Sequence, residues 1–120
     1  MHKSDTSNIR LQLESEGYRI NYYPTTRNIP PYGLQGVARP DSNIIDVHFN
    51  ATADSELLEA TIGHEYGHHV AGFDFIEYKY NPHYRLLQEV AAWNIARQRW
   101  TLTTKQQQFA SECISRYQRW

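Results

Sequence analysis

The chain has 120 residues, 40% hydrophobic and 13% aromatic with nine tyrosines, and a formal net charge of −1. That length supports one modest core, and the composition is that of a folded domain whose interior leans on Tyr and Trp as well as on aliphatic residues. Lysine and arginine are scattered, which leaves no electrostatic footprint for direct nucleic-acid or anionic-membrane binding, and the single cysteine, Cys113, excludes a disulfide framework.

The opening stretch MHKSDTSNIRLQLESEG has no apolar signal-peptide core, and no run is long enough to span a bilayer, so a cytoplasmic protein of one domain, residues 1–120, is expected. In SNIRLQLESEG, Ile9, Leu11 and Leu13 alternate with polar residues ahead of Gly17, a pattern that fits a short helix with a glycine C-cap and also fits a strand. YRINYY, residues 18 to 23, alternates as a strand does, and PTTRNIPPYG, with three prolines, is a loop. LQGVA and NIIDVHFN flank RPDSN and resemble a hairpin, which gives a small, mostly antiparallel N-terminal sheet.

From Asp54 onward the period becomes helical. Leu58, Ile62, Tyr66 and Val70 fall on one i, i+4 row, with Asp54 as N-cap and Gly72 as terminator. FDFIEYKY is an aromatic connection, and Asn81-Pro82 opens a second helix that runs to about Trp100, packed by Leu86, Val90, Trp93 and Ile95 or Ala96. Thr103 with Gln106, or Thr104 with Gln107, offers a capping box for a third helix marked by Phe109, Ala110, Cys113, Ile114 and Tyr117. The expected class is α+β: the sheet packed on the first of these helices, with two further helices after it.

The first of these helices carries GHEYGHHVAG, in which His64-Glu65-Tyr66-Gly67-His68 is H-E-x-x-H. On a helix, residues four apart stand one turn above each other, so both imidazoles reach one ion. Zinc takes nitrogen ligands at about 2.0–2.1 Å, and a glutamate beside the first histidine is placed to accept a proton from zinc-bound water. Three specified positions coincide by chance in a chain this long on the order of once in a few hundred sequences, so the motif is read as chemistry, with the apolar row on a different side of the helix from the histidines.

A catalytic zinc site needs a third protein ligand, and the downstream candidates are Asp74, Glu77, His83 and Glu89. Asp74 sits where the extended metzincin motif would place its last ligand, but Ala71 stands where that motif needs glycine, and Met1 is the only methionine, so no Met-turn follows. His83 comes fifteen residues after His68, a spacing resembling that of SprT-like proteases, without their Gly-His-Gly setting. Glu89 lies one to two turns into the next helix among Leu86, Val90, Ala92 and Trp93, where a carboxylate is costly without a cation. Tyr78, Tyr80, His83 and Tyr84 are candidate donors to a tetrahedral intermediate, and Asp46, Asp74 and Glu77 are candidate acceptors for a ligating histidine. His69 is expected to be solvated or bonded to backbone, and His48 to be an ordinary strand residue.

TIGHEYGHHVAG, the Tyr- and Phe-rich spacer with Asn-Pro, and EVAAWNIA together resemble the ImmA/IrrE family of small zinc metallopeptidases over most of residues 18 to 117. The resemblance implies a minimal zincin-like, gluzincin-type site with Zn2+ held by His64, His68 and Glu89 and with Glu65 as the catalytic base. It also implies a protein substrate, a helix-turn-helix transcriptional repressor of a phage or mobile element, cut by a zinc-dependent endopeptidase. The rival expectation is a non-catalytic zinc-bound module that sequesters a repressor, acting as an antirepressor. Glu65 speaks against it, because a structural site needs no base and closes its fourth position with another protein ligand.

Overall fold

The computed structural model describes residues 4–30, 32–39, 42–72 and 74–117. Strand β1, Ser4–Asp5, is followed by a 3-10 turn over Thr6–Asn8 and by α1, Ile9–Ser15. Of the two patterns its sequence allowed, α1 takes the helical one, because Ile9 and Leu13, four apart, both bury completely while Leu11 faces solvent. Gly17 follows at φ 98°, a conformation that glycine adopts without strain.

Strands β2, Arg19–Pro24, β3, Leu34–Ala38, and β4, Ile44–Phe49, form a sheet in the order β2-β4-β3. β3 and β4 pair antiparallel as the expected hairpin, although residues 40 and 41 of its turn lie outside the described residues. The sheet is mixed rather than mostly antiparallel, since β2 runs parallel to β4 along its whole length, with Ile20 opposite Ile45 and Tyr22 opposite Val47. The proline-rich loop after β2 does not fold back as a tight turn. It crosses the end of the sheet and leaves a central slot, which β4 fills with buried Ile45 and Val47.

Helix α2, Ser55–Ala71, begins where the Asp54 carboxylate accepts the Glu56 and Leu57 amides at 2.8 and 3.2 Å. It ends at Gly72, φ 66°, whose amide donates to the His68 carbonyl at 3.0 Å. The expected apolar row holds only in part: Ile62 is buried, Leu58 and Tyr66 are half-buried, and Val70 is exposed. α2 is a central helix covered on several sides, so Leu57, Ala60, Thr61, Gly63, Glu65, Gly67 and His68 are buried as well. Core and candidate ligands share the same faces instead of dividing them.

The aromatic connection contains an additional short helix, α3, Phe75–Tyr80, capped by Asp74; Phe73 lies outside the described residues. Helix α4, Pro82–Arg99, starts with the Asn81 side chain accepting the Tyr84 amide and packs along α2. β5, Trp100–Thr101, pairs parallel with β1, and α5, Thr104–Tyr117, follows. Thr103 and Gln106 form the reciprocal capping box, with N···O distances of 2.9 and 3.1 Å. The core joins Ile9, Leu13, Ile45, Val47, Ile62, Trp93, Trp100 and Phe109 into one cluster. Among the described residues no helix is long and apolar enough to cross a membrane.

Candidate metal centre

His64 and His68 project from the same face of α2, and α4 crosses that face with Glu89, buried to 3% exposure. The crossing is close because position 67 has no side chain: a Cβ there would lie 2.2 Å from the Ala92 carbonyl oxygen. The x-Gly before His68 in the motif is thus what lets α4 lay Glu89 between the two imidazoles. His64 Nε2 stands 2.7 Å from Glu89 Oε2, and His68 Nε2 stands 3.3 Å from Glu89 Oε1.

These three side chains each offer one ligand atom within 4.8 Å of the others, the one such group of histidine, cysteine and acidic residues among the described residues. Two imidazole nitrogens and a carboxylate oxygen are the donor set zinc accepts. Ligand atoms on a tetrahedral zinc stand about 3.3 Å apart, from bond lengths of about 2.0–2.1 Å. The observed separations need only small adjustment, so the residues fit the ion.

Electrostatics point the same way. Burial alone would favour neutral His64, but the carboxylates of Glu89 and then Glu65 outweigh it and push the imidazolium up to about 10. Burial would likewise raise the Glu89 carboxyl, and the His64 charge, with both imidazoles close against it, instead holds it well below the ordinary carboxylate range. The pocket is built for a positive charge between these groups, carried by a proton when no cation is held.

Glu65 lies against His64, its Oε2 3.2 Å from Nδ1, and is 5% exposed. What leaves room for it is Gly36 on β3, where a Cβ would meet Glu65 Cγ and Oε2 at 2.6 Å. Trp93 stacks on the His64 ring at a centroid distance of 4.4 Å and an interplanar angle of 13°, and its other neighbour is Phe109, edge-on at 5.9 Å. His64 is therefore clamped by a ring on one side and by carboxylates at both nitrogens.

Of the candidate donors, Tyr78 alone lines the cleft over this site, and its hydroxyl donates to Glu89 Oε1. Its ring meets that of His68 edge-on at 6.0 Å. Tyr80 and His83 are exposed, and the Tyr84 hydroxyl accepts the Asp74 amide at 2.8 Å. The rival ligands are occupied elsewhere: Asp74 caps α3 through the Glu77 amide, and Glu77 accepts from Asn81 Nδ2 at 3.2 Å. Asp46 binds Arg39 and Asn21 at 2.7 and 3.1 Å on the solvent side of the sheet, so none of the three acceptors considered from the sequence serves a ligating histidine. His69 bonds backbone, its Nε2 3.2 Å from the Ile44 carbonyl oxygen, and His48 stacks on Tyr23 within the sheet.

The cleft has a volume of about 770 Å³, its floor formed by the candidate metal group and Glu65, with β3 forming one wall. Sequence reasoning missed Gly36, Arg27 and the stacking role of Trp93, and it read Cys113 only as a packing residue. Cys113 also lines the cleft, where burial, then the Glu89 charge, pushes its thiol up to about 12 and leaves it inert. No family model matches the sequence, and neither a curated protein nor a solved structure matches it.

Proposed function

We propose that this chain is a zinc-dependent endopeptidase of the cytoplasm, resembling the ImmA/IrrE metallopeptidases, whose substrate is a helix-turn-helix repressor of a phage or mobile element. The observation that carries the reading is a buried carboxylate, Glu65, held beside a His64–His68–Glu89 group that fits zinc, at the floor of a cleft open to a polypeptide. A structural zinc site has no use for such a base and closes its fourth position with protein.

Zinc bound by His64, His68 and Glu89 would supply Lewis acidity and a water of lowered pKa. The rest is done by the chain. The Glu65 carboxylate would accept a proton from the attacking water and pass it to the leaving amine, while Gly36 fixes where the carboxylate stands. Tyr78, on the cleft wall, would serve a developing oxyanion as phenolic donor by turning its hydroxyl from Glu89 Oε1. β3 is an edge strand of its sheet, and an extended substrate segment can add to it through backbone hydrogen bonds.

The test is Glu65→Gln, nearly isosteric and unable to accept the proton. Zinc content and fold are expected to survive, and cutting of repressors encoded beside the gene is expected to fall by about 10²–10⁴-fold. If Glu65→Gln relieves repression as fully as the parent chain, with no fragments in either case, the sequestering antirepressor replaces the peptidase.

A further inference from the structure

The cleft has a second charged feature above its floor. Among the described residues, its charged lining besides the histidines consists of Glu65 and Glu89 below and of Arg27 and Arg116 at the rim. With a dication on the site, those two carboxylates cancel its charge, so the guanidiniums set the sign of the cleft.

Both arginines are exposed and both belong to one corner of the fold. Arg116, near the end of α5, donates from Nη1 to the Pro30 carbonyl at 2.8 Å, and Arg27, three residues before Pro30, donates from Nη2 to Gln35 Oε1 at 3.0 Å. The Arg27 acceptor is neutral. Among the described residues Arg27 has no carboxylate within ion-pair distance.

Their place along the wall matters. Gln35, which holds Arg27, is the neighbour of Gly36, and Gly36 lies against Glu65. An extended chain advances about 3.3 Å per residue, so a segment laid along β3 passes Arg27 within a few residues of the bond nearest Glu65.

We propose that this rim is a subsite for an acidic side chain: the substrate is an extended segment bearing Asp or Glu within about three residues of the scissile bond, bound by Arg27 and Arg116. The assignment rests on the peptidase reading for which bond is cut; recognition of the acid does not need hydrolysis.

The probe is a random-sequence peptide library, incubated with the zinc-loaded chain and with Arg27→Gln, Arg116→Gln and the double variant, the cut products being sequenced by mass spectrometry. The expected result is a three- to tenfold enrichment of Asp and Glu beside the cut, of the order of about one or two exposed ion pairs, falling at high salt and approaching none in the double variant. Cutting without acidic enrichment, or enrichment that the double variant keeps, overturns the proposal. The same library is passed over zinc-loaded Glu65→Gln protein and the retained peptides are sequenced. Arginine-dependent acidic bias there, with no cutting by the parent, sinks the peptidase reading and leaves the subsite standing. Retention without acidic bias, or neither retention nor cutting, overturns the subsite.

Discussion

Glu89 is touched from two sides that are built in opposite ways. Below it, α2 and α4 meet with Gly67 against the Ala92 backbone, both helices are capped by their own side chains, and His68, Glu89, Ala92 and Trp93 are buried. Above it, α3 buries no residue; Phe75, Ile76 and Tyr80 are 58%, 63% and 71% exposed. α3 is tied to α4 mainly by polar contacts, Arg85 donating to the Tyr78 and Lys79 carbonyls at 2.8 and 2.7 Å and the Asp74 amide donating to the Tyr84 hydroxyl. A layer with few buried apolar contacts opens at low free-energy cost, whereas a close-packed helix crossing resists displacement. The geometry of the candidate ligands is therefore fixed from below, and access to them is adjustable from above.

Two glycines separate these roles most sharply. Gly36→Ala puts a methyl group 2.6 Å from the Glu65 carboxylate, a flexible side chain that can swing away. The chain should keep its melting temperature and zinc while losing on the order of 10²-fold or more in cleavage, as expected when a general base is displaced. Unchanged cleavage would show that Glu65 is not held by β3.

Zinc affinity read against pH tests the seam electrostatically. His64, raised to about 10 by Glu89 and Glu65, must give up its proton before its nitrogen can coordinate. Affinity should tighten by about tenfold per unit from pH 7 to pH 9, one proton leaving per ion bound. The chelated protein behaves oppositely. A histidine with a raised pKa contributes stability that is fully present below about 6.5 and is lost as pH rises through about 10, so its melting temperature should fall across the range in which the zinc-loaded protein gains on it. A flat affinity profile would break the link between ion pair and metal site.

Gly67→Ala attacks the crossing itself. A Cβ 2.2 Å from a backbone oxygen cannot be relieved by a rotamer change, so α4 must move, at a cost of about 1–3 kcal/mol measured by denaturant unfolding, with zinc weakened in parallel. Loss of stability with undiminished zinc affinity would mean that α4 does not set the position of Glu89. The smallest effect belongs to the rim: Tyr78→Phe removes only the hydroxyl on Glu89 and should weaken zinc binding about tenfold at an unchanged melting temperature. A large fall in stability would make α3 part of the core after all.

What the sequence revealed and what it hid divide along the same line. The Asp54, Asn81 and Thr103–Gln106 caps, the Gly72 terminator and the i, i+4 histidines are local signals, each contained within a turn or two of chain, and each element appears where its signal stands. The parallel pairing of β2 with β4 was not legible, because it depends on which strand takes the central slot, a competition among segments twenty or more residues apart. α3 lacks an apolar stripe because it has nothing to bury, so periodicity gave no sign of it. Nothing near residue 36 points to residue 65, and nothing near the four candidate donors distinguishes Tyr78, whose place depends on the tertiary arrangement of α3 over α4.

Gln106 joins the two ends of this arrangement in time as well as in space. It is 1% exposed, its Nε2 donates to the Glu56 carbonyl at 2.8 Å, and its neighbours add the Thr103 hydroxyl on the Glu56 carboxylate and the Lys105 ammonium on Asp54. The first turn of α2 is thus clasped by residues made some fifty positions later. A ribosome produces His64, Glu65 and His68, and then Glu89, before it produces that clasp, so the last contacts of α2 come after its candidate ligands. The candidate metal group is complete in composition while its supporting helix still waits for its last contacts.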